Sequence, residues 1–275
     1  MMVLNSSLFC PNGQFLNKVT NYLCSNSLGL FTPCSVALLK DIYGQMRNNI
    51  NTPFIGSNFG KRIKVQIYPL GQACLNGSID QTIIIANGKL SCGHDLPVWL
   101  NNPETAKHRI MVLSQDPRRN KYEMGNMEIG VSSPFGLHSI IWRSSKLTGL
   151  IHHVSKRLID DYGDSVSVYY TDILKLRKTD STVMDTKNMK VYHDILAKEI
   201  ELFNPTLILL LGRQAQKGLA GIALQLPDIT DITISVPHPN ARIINGKWGK
   251  FTSNGKYDAQ WKSDTILDEI RKVLP

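Results

Sequence analysis

No part of this chain is apolar for long. The longest such run, around Leu207 to Leu211, is far too short to cross a bilayer. The N-terminus has no basic region leading into a long apolar segment, so neither a membrane span nor a secretory leader is expected, and the expected location is cytoplasmic. Cysteine is scarce: Cys10, Cys24, Cys34, Cys74 and Cys92 are the five in 275 residues. No two of them have the C-x-x-C spacing of common metal knuckles, and a chain of this length buries a core without staples, so reduced thiols are expected. Cys74, Cys92 and His94, with Cys10, Cys24 or Cys34, could make up four zinc or iron–sulfur ligands. Small buried thiols and a surface His are the simpler reading, and no metal or other cofactor is expected. Acidic residues are in deficit, 22 against 31 basic ones, and the net charge of +9 favours a polyanionic partner or an anionic surface without choosing between DNA, RNA and lipid.

Three enzyme signatures are also missing. Gly163-Asp164-Ser165-Val166-Ser167 lacks the closing glycine of a nucleophile elbow. The stretch Gly56 to Arg62 is one residue short of a phosphate-binding loop and ends in Arg where a hydroxyl should hold magnesium. No carboxylate cluster suited to magnesium stands beside the loops discussed below, which argues against a nuclease. There is no internal repeat and no low-complexity tract.

What the chain does have is a set of four apolar strand-like runs: Ile110 to Leu113, Val166 to Tyr170, Leu207 to Leu211 and Ile232 to Val236. Each ends in a polar or charged turn. The turns are Ser114 to Arg119, Thr171-Asp172 with Lys175 and Arg177, Gly212 to Lys217, and Pro237 to Arg242. In open α/β sheets such exits gather on one edge and form the ligand crevice. From Arg109 onward the order is strand, long connection, strand, helix, strand, helix, strand, tail, the alternation of a parallel sheet covered by helices. Thr186 to Phe203 reads as a helix stopped by Asn204-Pro205, and Ser263 to Val273 as a closing helix. The expected fold is therefore α/β, a three-layer αβα sandwich with a central four-stranded parallel sheet over 105–275, preceded by a mixed N-terminal extension over 1–104. Within the extension, Ile83-Ile84-Ile85 before Asn87-Gly88 signals a strand and a tight turn.

Taken one at a time, the turn residues have ordinary explanations. Asp116 before Pro117 suits a turn former, His238 between two prolines a rigid loop, Asp172 a helix cap and Phe135 a core position. Their joint order carries more weight. Val112-Leu113-Ser114-Gln115-Asp116-Pro117 resembles the first motif of the uracil-DNA glycosylase superfamily, and Glu128-x-Gly130 with Ser133-Pro134-Phe135-Gly136 resembles the segment that supplies its base-stacking aromatic. Tyr170 to Lys175 is similar to the family's T-N-x-x-K element, Leu209 to Lys217 to its L-L-x-G-x-x-A-Q-K stretch, and Val236 to Asn240 to its H-P-S motif. These elements cover roughly residues 108 to 245 in the right order.

Cutting an N-glycosidic bond builds positive charge on the sugar and negative charge on the departing base. The site needs an anion near the first and a donor near the second. The resemblance implies that Asp116 stabilises the sugar and positions water, that His238 donates to O2 of the leaving base, and that Phe135 stacks the flipped base with Gln115 alongside. The chain departs from the family pattern in three places. Asp172 stands where most members have Asn; an ionised carboxylate only accepts, which suits cytosine N4-H and not uracil O4, and if protonated, as burial favours, it can donate to cytosine N3. Arg118 stands where well-known uracil enzymes carry a Tyr that blocks C5 substituents; it can admit and bind such a substituent, or it can fill the same space or bind a phosphate. Asn240-Ala241-Arg242 lacks the apolar wedge that follows the family's His-Pro pair, which allows single-stranded substrate.

Together these features suggest a monofunctional, anti-phage DNA glycosylase acting on a cytosine-type base, 5-hydroxymethylcytosine or its glucosylated form. The rivals are an ordinary uracil-DNA glycosylase and a non-catalytic DNA-binding protein of the same fold. Arg119, Lys175, Arg213, Lys217, Asn240 and Arg242 are expected along the DNA, single- or double-stranded and including phage DNA. A monomer with no membrane partner is expected.

Overall fold

A computed structural model describes residues 13–25, 36–37, 39–40, 43–44, 85–86, 89–90, 92–115, 129–132, 146–178, 189–223, 225–239 and 259–274. In chain order its elements are α1 (Gln14–Ser25), β1 (Ile85–Ala86), β2 (Lys89–Leu90), β3 (Cys92–Asp95), β4 (Val98–Leu100), β5 (His108–Ser114), β6 (Ile129–Ser132), α2 (Lys146–Tyr162), β7 (Val166–Asp172), β8 (Leu176–Lys178), α3 (Met189–Phe203), β9 (Leu207–Leu211), α4 (Arg213–Ala223), β10 (Thr233–Val236) and α5 (Ala259–Arg271). The main sheet has the order β10-β9-β5-β7-β4. Its parallel neighbours, β10 with β9, β9 with β5 and β5 with β7, are the four runs picked out by their apolar character.

The sheet has five strands and not the expected four, because β4 pairs antiparallel with β7 at its edge. Val98-Trp99-Leu100 is too short to show a period of two, so only its partners in β7 define it as a strand. The expected long connection between β5 and β7 also holds structure: β6, which joins a second sheet of order β6-β3-β8, and the helix α2. On either side of Asn87-Gly88, Ile85 pairs with Leu90 and Ala86 with Lys89, the antiparallel pairing that this turn signal calls for.

The chain enters the sheet at the edge strand β4, passes to β5, steps to β7, crosses back over β5 to β9 and continues to β10. Right-handed crossovers then put α2 on one face and α3 and α4 on the other. The packing agrees, since α2 lies against α5, and α3 against α4 and α1. On β7 the alternation is explicit: the Tyr170 hydroxyl meets Ser155 of α2, whereas the Tyr169 ring lies 4.8 Å from Phe203 of α3. All of β7 and β9 is buried, as a strand covered on both faces should be.

Residues on both sides of position 104 share one core. Phe15 of α1 meets the Trp99 ring edge-on at 5.0 Å, and Tyr43 packs on the same ring at 5.2 Å. α3 ends where Asn204 turns into the left-handed region (φ 49°), with its N–H 2.7 Å from the Ile200 carbonyl and Pro205 next. Among the described residues no helix is long and apolar enough to cross a membrane.

Candidate active site

The register of the parallel strands defines a row at their carboxyl ends. Ser114 lies opposite Asp172. Leu113 lies opposite Leu210 and Leu211 opposite Val236, so Asp172, Ser114, Leu211 and Val236 share one level across β7, β5, β9 and β10. Gln115 stands one residue past that level and His238 two. With strands ~4.8 Å apart, the row spans about 14 Å from Asp172 to Val236. This edge is where parallel α/β sheets place their ligands.

At the β7 end, the pairing with β5 runs past the strand. Ile173 N–H donates to the Ser114 carbonyl at 3.0 Å and Leu174 N–H to the Gln115 carbonyl at 3.0 Å, which locks the two exits together. Asp172 is 1% exposed, and its Oδ1 accepts from the Ser114 hydroxyl. Its main-chain N–H points the other way, to Asp95 Oδ2 at 3.2 Å.

Lys175 is not where its charge suggests. Expected on the DNA, it is 1% exposed and paired at 2.8 Å with both Asp95 Oδ2 and Glu199 Oε2. The turn after Asp172 folds it inward onto acids that lie 80 and 24 residues away in sequence, out of sight of any local pattern. Burial alone would pull the Lys175 ammonium down, but Asp95 and Glu199 overturn this and hold it above the usual lysine range. Burial pushes the Glu199 carboxyl up to about 6; Lys175 opposes that rise and the Asp95 charge adds to it.

At the β10 end, Gly212 has φ 88° and donates its N–H to the Val236 carbonyl at 2.8 Å. A Cβ on Gly212 would lie 2.8 Å from His238 Cβ, so the histidine turn sits directly on the β9 exit and only glycine admits it. Gly218 on α4 does the same for the other turn, since a Cβ there would lie 2.3 Å from Ile173 Cγ2. Lys262 of α5 donates to the Pro239 carbonyl at 2.6 Å, and burial pulls its ammonium below the usual range. Arg213 and Lys217 are exposed on the N-terminal half of α4, whose positive end opens on the same edge.

The sheet therefore brings Gln115, Asp172, His238, Arg213 and Lys217 to one edge and takes Lys175 away from it. Asp116, Arg118, Arg119, Phe135, Asn240 and Arg242 lie outside the described residues. Ser114 and Gly212, which open two of the strand-end turns, shape the edge together with Gly218, Asp95, Glu199 and Lys262, for which the sequence offers no local signal. Cys92 and His94 lie on β3, and among the described residues no group of three or more His, Cys, Asp or Glu is placed to hold a metal ion.

The result is an α/β protein with a mostly parallel sheet, an acid and a histidine at its strand exits and basic side chains on the helix beside them. The model of the uracil DNA glycosylase superfamily matches residues 103–262, more than half of the chain and every strand exit described above. The chain belongs to that superfamily, whose members are generally hydrolytic, DNA-binding glycosylases. Comparison with curated proteins finds no match.

Proposed function

We propose that the protein is a monofunctional DNA glycosylase that hydrolyses the N-glycosidic bond of a C5-modified cytosine in phage DNA and leaves an abasic site. The observation that carries this reading is Asp172: a buried acid at the end of β7, held by the Ser114 hydroxyl, where most of the superfamily has Asn. As a carboxylate it accepts from an exocyclic amine; it has no hydrogen to offer uracil O4. In the reaction, water held by Asp116 adds to C1′ as the bond to the base breaks, and His238 donates to O2 of the departing ring. Arg118 faces the C5 substituent in this scheme, and Phe135 stacks the base. Excision of ordinary cytosine would damage the host genome, so a modified cytosine is the more sensible target.

The test is to incubate the protein with unmodified, uracil-containing and hydroxymethylated or glucosylated DNA, single- and double-stranded, and to identify the released bases by mass spectrometry. Release of the modified cytosine supports the proposal. Release of uracil alone selects a uracil-DNA glycosylase that tolerates Asp172, the reading favoured by the name of the matched family. Binding without release of any base selects a non-catalytic DNA-binding protein. Asp116→Asn and His238→Ala are each expected to suppress release by about a hundredfold or more with DNA affinity largely kept. Loss of affinity in both, with full turnover of the bound fraction, contradicts these roles.

A further inference from the structure

The buried charges behind β7 are arranged around one atom. Asp95 Oδ2 lies 2.8 Å from Lys175 Nζ, 2.7 Å from Thr171 Oγ1 and 3.2 Å from the Asp172 nitrogen. Lys175 Nζ also reaches Glu199 Oε2 at 2.8 Å and Thr171 Oγ1 at 2.5 Å, and Asp95 N–H donates back to the Lys175 carbonyl at 2.9 Å. Asp95, Thr171, Lys175 and Glu199 are each at most 2% exposed. Ion clusters of this kind cost desolvation that an apolar set of equal size avoids, so stability is a poor reason for having one.

Its location supplies a better reason. On the edge away from β5, the last residue of β7 with a partner in β4 is Tyr170, opposite Val98; the residue before Val98 is Pro97, which has no N–H. The Asp172 N–H points to that side, beyond the end of the ladder, and finds the Asp95 carboxylate where a strand carbonyl would otherwise stand. Thr171 faces α3 and its Glu199, whereas Asp172 faces Ser114 on the opposite side of the sheet. The cluster thus holds the backbone that carries Asp172 from the face opposite its carboxyl.

We propose that Asp95, Lys175 and Glu199 are positioning residues for Asp172, clamping the end of β7 from the far face so that the base-reading carboxyl meets its base in one geometry. This rests on the proposed reading of Asp172 as the residue that reads the base.

The experiment compares the wild type with Asp95→Leu, which has nearly the same shape, offers no acceptor to the Asp172 N–H and leaves Lys175 paired with Glu199, and with Lys175→Met/Glu199→Gln, which serves if the first variant does not fold. Single-turnover release of hydroxymethylcytosine and of uracil is measured on titrated active sites, and amide exchange is followed by NMR. In folded variants the Asp172 amide is expected to exchange about tenfold faster, with Val168 and Leu209 unchanged. Release of the preferred base and its preference over uracil should each fall by about tenfold, with KM for DNA within about twofold. A role in folding alone would lower the active fraction and leave the preference of the active molecules intact. Unchanged preference in a folded variant, whatever its amide exchange, overturns the clamp if Asp172→Asn does change the preference. If Asp172→Asn also leaves it unchanged, the base-reading role falls, and the proposal with it.

Discussion

Glu199→Gln should spare the protein a loss of stability that the wild type suffers as pH rises from acid to neutral. The folded state holds the Glu199 carboxyl at about 6, chiefly through burial, whereas its ordinary value is 4.5. A carboxyl raised in this way keeps its proton in the folded protein over a window in which the unfolded chain has released it. Between pH 4.5 and 6 the folded state therefore binds more protons, and stability falls as pH rises through the window. A rise of about 1.5 units at about 1.36 kcal/mol each makes the full loss about 2 kcal/mol, complete by neutrality. Glutamine has the same shape, can accept from Lys175 and Thr171, and never ionises, so it escapes that loss. Urea unfolding of both proteins at pH 4 and pH 8, with each protein referred to itself, isolates the effect from any packing cost of the amide. The variant should gain about 2 kcal/mol on the wild type between the two conditions. A gain by the wild type over the variant as pH rises would show that the Lys175 attraction outweighs burial, and would refute the reasoning.

Two further expectations concern the histidine turn. Gly212→Ala forces a side chain into a left-handed backbone against His238 Cβ, and should cost about 1–3 kcal/mol in urea unfolding and lower turnover more than it weakens DNA binding. Lys262→Met removes the ammonium from the Pro239 carbonyl and should slow base release by up to about tenfold with KM little changed, read by single-turnover kinetics.

The sequence made the parallel part of the sheet legible because each strand is an apolar run closed by a residue that breaks it: Pro205 and Gly212 bracket β9, and Pro237 closes β10. It also located the strand exits, since Gln115, Asp172 and His238 follow those runs directly. The helix α2 is legible in the stretch expected as a long connection, since Leu150, Ile151, Val154 and Leu158 follow helical spacing and are buried. What local sequence could not show was anything that depends on a partner far along the chain. Val98-Trp99-Leu100 becomes a strand only beside β7. Lys175 looks like a surface cation until Asp95 and Glu199 are placed around it, and Gly212 looks like a simple strand end until His238 is laid on it.

The distances across the edge explain why its two ends need separate clamps. Successive strands rotate by roughly 20–25°, so three steps from β7 to β10 turn the exit directions by about 60–75° over about 14 Å. Asp172 and His238 can converge on one nucleotide only if each turn is fixed at its own root, because the sheet between them does not hold one in line with the other. Asp95 fixes the first through the Asp172 N–H, and Gly212 fixes the second by lying under His238. The clamps share no residue and sit on different strands, so their effects on the rate of base release should multiply in Asp95→Leu/Gly212→Ala, within about twofold. A double variant no slower than the worse single one would mean that the two ends of the row move as a unit, with one displacement already costing what both can.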